Sequence, residues 1–309
     1  MDLQFRKITL EDREPVQRIY MEYPSMSCTR SFANTYLWAR YYKVTVAEAG
    51  GTYVFRSENE EEMGVKTSFA MPAGSPESVK QAVAGIMEYC RELRIPLQIY
   101  SVTEQDFELL NELFPDTFTI SYSENDEDYV YEREKLITLA GKKYHGKRNY
   151  INRFHIEHPD WTYESITHDN VEDCFHMALK WRNENGCDDD PEKCAEMCVA
   201  LNSLRLMDEL SLRGGLIRTE GKVVAFSVGE KLNEDTFDVH IEKAFADIPG
   251  AYPIINQQFV LHETEGFKYI NREEDVGSEG LRIAKRSYHP VFMVRKGVAV
   301  LKEDVSRRG

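Results

Sequence analysis

No apolar run among the 309 residues approaches the roughly 20 that a bilayer-spanning helix needs, so the sequence carries no integral membrane segment. Its opening residues, MDLQFRKITLEDREP, hold acids and no apolar core, which argues against a signal peptide. The six cysteines include no Cys-x-x-Cys pair, and that absence argues against a disulfide framework. Cys187, Cys194 and Cys198 crowd together, but a metal site there needs a fourth ligand such as Cys174 or His176. They read as reduced thiols in or near a core, with no metal expected. Basic charge is scarce: 38 Lys and Arg stand against 53 Asp and Glu, a net charge of −15. Such a surface repels phosphate over most of its area and excludes a general nucleic-acid coat. A cytoplasmic protein is expected, with 42% hydrophobic residues and a length suited to two domains.

The scarce basic charge is concentrated. Residues 141–154, GKKYHGKRNYINRF, contain five Lys or Arg and no acid. Read as a helix, they stack Lys143, Lys147 and Ile151 at i, i+4, and no clean apolar stripe separates from the charges. Lys143, Lys147, Arg148, Asn149 and Asn152, with Tyr144 and Tyr150 beside them, could bind phosphate and stack on a base or sugar. A linker helix pairing with acidic domains on either side accounts for the same charges but not for the asparagines.

Apolar periodicity and turn residues give a repeated order of elements. The first half reads as a short strand at 5–8, a helix capped by Thr9, a helix at 31–42 and a hairpin about Gly50-Gly51. The strand SFAMPAG follows, then a helix opened by Ser75-Pro76. A strand at 96–102, a Thr103-capped helix and the strands FTISYS and DYVYERE complete it. The second half reads as a strand at 161–167, helices at 169–184 and 190–212, and the three strands GGLIRT, KVVAFSVGEKL and DTFDVHIEKAF. A helix opened by Gly250, the strand FKYIN, the short helix GLRIAKRSY and one closing strand, VFMVRKGVAV, end the chain.

This order resembles the fold of the GCN5-related acyltransferases, occurring twice. The expected class is α/β (α+β): two tandem acyltransferase-like domains, each a mixed, mainly antiparallel sheet flanked by helices. The first spans 1–138. The second spans 139–309, opens with a basic helix at 141–158 and carries the cleft.

In that superfamily the donor pyrophosphate lies at the helix following the fourth strand, on free N–H groups at the positive end of the helix dipole. Here the second half offers HIEKAFADIPGAYPIIN, with Gly250 retained, Asp247 where a basic or amide residue is usual, and Tyr252 in place of a small residue. The first half offers FAMPAGSPESVK, with nothing basic, so its donor site reads as lost. The resemblance also implies roles for Glu242, as a general base, and for Tyr288, as an acid for the leaving group through Ala284-x-x-x-Tyr288. Leu281 departs from the asparagine often seen before that alanine. Alternation along HIEKA puts His240 and Glu242 on one face, a pair that lacks a third metal ligand.

Three blocks, GKKYHGKRNYIN, HIEKAFADIPGAYPIIN and YINREEDVGSEGLRIAKRSYHP, resemble a bacterial family of unknown function grouped with the C-terminal catalytic domain of phosphatidylglycerol lysyltransferase. That likeness implies aminoacyl-tRNA as a donor by analogy, with acyl-coenzyme A the other possibility. Charged tRNA or coenzyme A would then be partners. The acceptor would be an amine or hydroxyl of a small molecule, lipid headgroup or peptide. No firm cofactor is implied. In the third block Arg272 suits a carboxylate or phosphate, and one of Glu273, Glu274 and Asp275 could take a proton. As a cluster these acids should raise one another's pKa. A non-catalytic binding protein of the same fold is the alternative, supported by the degraded loop.

Overall fold

The computed structural model of the protein describes residues 3–61, 64–186 and 190–302. Its strands are β1 (Arg6–Lys7), β2 (Thr45–Ala49), β3 (Thr52–Glu61), β4 (Gly64–Ala70), β5 (Gln98–Thr103), β6 (Phe118–Tyr122) and β7 (Asp128–Glu132). They continue with β8 (Thr162–Ser165), β9 (Arg213–Thr219), β10 (Lys222–Lys231), β11 (Thr236–Ala244), β12 (Tyr269–Asn271), β13 (Phe292–Val294) and β14 (Lys296–Leu301). The first five helices are α1 (Arg13–Glu22), α2 (Phe32–Trp38), α3 (Pro76–Leu93), α4 (Glu104–Leu113) and α5 (Arg133–Thr138). After them come α6 (His145–Glu157), α7 (Val171–Glu184), α8 (Pro191–Arg205), α9 (Met207–Leu210), α10 (Ala251–Glu263) and α11 (Glu279–Arg286).

Local chemistry sets most of these boundaries. Gly50 and Gly51 adopt φ of 60° and 79°, the pair of left-handed residues a tight hairpin demands. Ser75 accepts the Ser78 N–H at 3.1 Å ahead of Pro76, and Thr103 and Asp106 form a capping box at α4, each satisfying N–H groups that the first turn leaves open. Thr9 caps a 3-10 turn at Leu10–Asp12 rather than α1 itself. The expected helix over 190–212 is broken at Leu206 into α8 and α9.

The strands form two mixed seven-stranded sheets flanked by helices, ordered β1-β2-β3-β4-β5-β14-β6 and β13-β7-β12-β11-β10-β9-β8. Most neighbours are antiparallel, while β4–β5 and β11–β12 are parallel. Two strands join a sheet that sequence order does not suggest. β7, read as the end of the first half, pairs with β12, Tyr131 opposite Ile270. The closing strand is divided in two, and β14 pairs with β5 and β6 of the first sheet.

Two compact units result. One holds the described residues up to Asp128, Glu274–Glu279 and those from Met293 on; the other holds Tyr129–Glu273 and Gly280–Phe292. A single division after residue 138 draws the boundary ten residues later and assigns the chain end to the other half. In the first unit α3 lays Val79, Ala82, Val83 and Ile86 against Val54, Phe69 and Ile99, all essentially without solvent exposure. In the second unit α10 buries Ile254, Ile255, Phe259 and Val260.

Candidate functional site

The second unit gathers ionisable side chains along two neighbouring strands of its sheet, β11 and β12. β11 supplies Asp238, His240 and Glu242, but not on one face. A bulge at His240, where Val228 pairs with Ile241 and Gly229 with Val239, breaks the alternation. Glu242 therefore faces α10 on the side of Phe237, while Asp238 and His240 lie with Glu230 on the other side, against the expected common face of His240 and Glu242. β12 runs parallel to β11, with Asn271 opposite Asp238, and delivers Arg272 just past its end. Arg272 Nη2 donates to Glu242 Oε1 at 2.9 Å, and Asn256 Nδ2, from α10, donates to Glu242 Oε2 at 3.0 Å. The guanidinium carbon lies 4.9 Å from the Tyr288 ring centre and 5.7 Å from that of Tyr131. Lys147 Nζ sits 4.0 Å over the Tyr288 ring. Tyr131 meets Tyr288 edge-on at 6.4 Å and donates its hydroxyl to the Lys285 carbonyl at 2.8 Å. Lys285 Nζ in turn donates to the carbonyl oxygens of Arg272 at 2.6 Å and Glu273 at 3.2 Å.

Two atoms of this group are buried without a hydrogen-bond partner among the described residues: Arg272 Nη1, a donor, and Asn256 Oδ1, an acceptor. They flank the same carboxylate. Burial, reinforced by the Arg272 charge and only partly offset by Glu242, lowers the Lys147 ammonium to about 8. Burial also raises the Tyr288 hydroxyl above its ordinary 10, against the pull of Arg272. For Arg272, burial is outweighed by Glu242, and its pKa rises.

Of the basic island, Lys147 alone reaches this group. Arg148 donates to the carbonyl oxygens of Leu139 and of Gly141, the latter at 2.8 Å, and so ties down the start of α6. Asn149 bonds His145 one turn back at 3.1 Å. Lys143 lies 5.2 Å over the Tyr144 ring, and Asn152 is exposed. The expected single phosphate patch is therefore dispersed, because a helix turns successive residues to different sides. Gly250 has a packing reason of its own. Its φ is +92°, and a Cβ there would collide with the Tyr150 carbonyl and Phe154 of α6. The start of α10, where a donor pyrophosphate was expected, has α6 packed against it.

The three consecutive acids of the third block take different partners. Glu273 Oε1 lies 2.8 Å from His240 Nδ1, whose other ring nitrogen lies 3.1 Å from Glu230 Oε1. Glu274 belongs to the first unit, beside Cys28, Asp128 and Lys296. Burial opposes its ionisation, but the Lys296 ammonium at 3.1 Å prevails and holds Glu274 down at about 2. Asp128 is pushed up to about 6 by burial. Asp275, fully buried, accepts the Gly277 N–H at 2.9 Å and shapes a turn. The cysteine segment gathers no donor set among the described residues. Cys174 is buried and its thiol is pushed up to about 12 by burial, Cys194 is half-buried and Cys198 exposed, and Cys187 lies outside the described residues.

The sequence reading missed Asn256, Asp238 and Tyr131. Asn256 left a signal: a lone amide on the apolar face of the run AYPIINQQFVL. A separate cavity of about 390 Å³, lined by residues including His176, Lys180, Arg218 and Phe245, shares no residue with the Arg272 group.

Residues 20–299 match the family described as phosphatidylglycerol lysyltransferase, C-terminal. Among solved structures, a conserved protein of unknown function from Bacteroides thetaiotaomicron is 35% identical, with a TM-score of 0.89 over 97% of this chain and 100% of that one. L-PGS from Bacillus licheniformis is 14% identical, with a TM-score of 0.61 over 93% of this chain and 91% of that one, a likeness of fold alone. An uncharacterised protein of Mycoplasmoides gallisepticum is 24% identical over 176 residues. That stretch is 56% of either chain, so the match spans little more than half of that curated relative. None of the described helices is long and apolar enough to cross a membrane. With the family model matching nine-tenths of its length, the chain belongs to the phosphatidylglycerol lysyltransferase C-terminal family.

Proposed function

We propose that the protein transfers an aminoacyl group from a phosphate-bearing donor, aminoacyl-tRNA in the first instance, to an amine or hydroxyl acceptor at the Arg272–Glu242 site. One observation carries the choice of aminoacyl over simple acyl. The buried donor Arg272 Nη1 and the buried acceptor Asn256 Oδ1 lie on either side of Glu242 with no hydrogen-bond partner among the described residues. Each such atom costs about 1–3 kcal/mol, which a ligand carrying both an acceptor and a donor recovers. An aminoacyl ester has both, a carbonyl oxygen and an α-ammonium on adjacent carbons. An acetyl group has only the first.

In this reading Arg272 holds the carbonyl and stabilises the charge that develops on its oxygen. Asn256 takes the ammonium, Glu242 receives the acceptor's proton, and Tyr288 protonates the departing oxygen. Lys147 meets a donor phosphate. Glu273, Glu274 and Asp275 have partners elsewhere. The packing of α6 against Gly250 weighs against acyl-coenzyme A as donor. A lipid headgroup, a peptide or a small molecule could each supply the acceptor.

Thermal unfolding with a non-hydrolysable aminoacyl-adenosine amide, set beside acetyl-coenzyme A, tests the assignment. At ~100 times its dissociation constant the analogue adds ~2.7 kcal/mol, a midpoint shift of several degrees, and Asn256→Leu abolishes it. Turnover of charged tRNA in the presence of amines and hydroxyl compounds completes the test. A shift with acetyl-coenzyme A alone refutes the aminoacyl reading. Saturable binding with no turnover favours a binding protein of the same fold.

A further inference from the structure

We propose that Asp238, His240 and Glu273 bind a divalent metal ion, supported by Glu230. His240 Nδ1 lies 2.8 Å from Glu273 Oε1 and 3.7 Å from Asp238 Oδ2, and the three donor atoms all fall within 4.8 Å of one another. An ion held at about 2.1 Å by imidazole and carboxylates needs donors roughly 3.0–3.4 Å apart. Side-chain shifts of about 1 Å or less bring these three to that spacing.

The backbone already sets the arrangement. Asp238 and His240 are alternate residues of β11, a central strand. Glu273 follows β12, its N–H held by Asn271 Oδ1 at 2.7 Å and its φ at 56°. Glu230 of β10 stands opposite Asp238 in register. Its carboxylate 3.1 Å from His240 Nε2 accepts that proton in the neutral ring, turning the Nδ1 lone pair toward Asp238 and Glu273. A carboxylate behind a ligating histidine is the support such ligands ordinarily have. Thr236, fully buried and on the same face of β11 by alternation, adds a hydroxyl with no hydrogen-bond partner among the described residues. Side-chain exposures of 0% for Asp238, 3% for His240 and 8% for Glu230, against 19% for Glu273, make Glu273 the side of entry. Glu242, beyond the bulge on β11, is taken by Arg272.

One imidazole with carboxylate oxygens suits manganese or zinc. Manganese is the cleaner probe, because the accessible thiols of Cys194 and Cys198 compete for zinc. The full chain, stripped with EDTA, is titrated with MnCl2 while the free ion is followed by electron paramagnetic resonance. One ion per chain is expected, with a nitrogen coupling from the directly bound imidazole. Glu273→Gln, at the most exposed ligand, raises the dissociation constant at least about tenfold. No saturable binding, bound manganese without nitrogen coupling, or an unchanged constant in a folded Glu273→Gln variant overturns the proposal. The group is then a buried imidazole–carboxylate network only. The first two results come from the wild-type chain and stand even if the variant fails to fold.

Discussion

Replacing Lys147 with Met should make the protein more stable and less able to hold its donor. The ammonium is only partly exposed, sits over the Tyr288 ring and shares its surroundings with Arg272. A fall from 10.5 to about 8 corresponds to at most about 3 kcal/mol against the folded state. Partial solvent screening reduces that to about 2 kcal/mol, and loss of the cation–ring contact removes about 0.5–1. A net gain of about 1 kcal/mol remains at neutral pH, or about 2–4 °C in the unfolding midpoint of a unit this size. The sign follows from linkage. Between about 8 and 10.5 the unfolded chain binds the proton and the folded chain does not, so wild-type stability rises with pH through that window. The variant's advantage is thus full below about 8 and gone by about 10.5. Urea titrations of both proteins from pH 7 to 10.5 test it. A Lys147→Met variant less stable than wild type at pH 7, or an advantage that persists unchanged at pH 10.5, refutes the reasoning. Donor affinity should move the other way, falling at least tenfold once the analogue binds measurably.

Two further outcomes are expected. Arg272→Ala leaves Glu242 buried without its ion partner, and urea unfolding should show a loss of about 3–5 kcal/mol, with Glu242→Gln in the same chain restoring part of it. Glu274→Gln removes a carboxylate held at about 2. Its stabilisation is present above the unfolded value near 4.5 and is lost as pH falls through about 2, so the variant should be about 2–3 kcal/mol less stable at pH 7. Acid titration of both proteins followed by circular dichroism should show that gap closing below pH 4.5.

The elements were largely legible because their signals are local. Two glycines sufficed for the hairpin at Gly50-Gly51, and a serine and a proline for the start of α3. Alternation failed for His240 and Glu242, because a bulge at His240 turns them to different faces. The candidate site was legible in parts. Arg272, Glu242, Tyr288 and Lys147 come together, whereas Arg148 and Asn149 turn to bonds within and before their own helix. Glu273 and Glu274, adjacent in sequence, take partners in different units, because successive residues of a non-helical chain diverge. Asn256 escaped because it reads as one of three consecutive amides, Asn256, Gln257 and Gln258, until its neighbour Glu242 is known.

The sequence by itself determined which segments become strands and helices, since capping, turn chemistry and periodicity act over a few residues. Tertiary structure alone decided that β7 joins β12, that β14 lies between β5 and β6, and that Arg272 meets Glu242 rather than the acids beside it. Strand pairing joins residues far apart in the chain, and the choice among partners rests on burial and register over the whole sheet, which no short window of sequence contains.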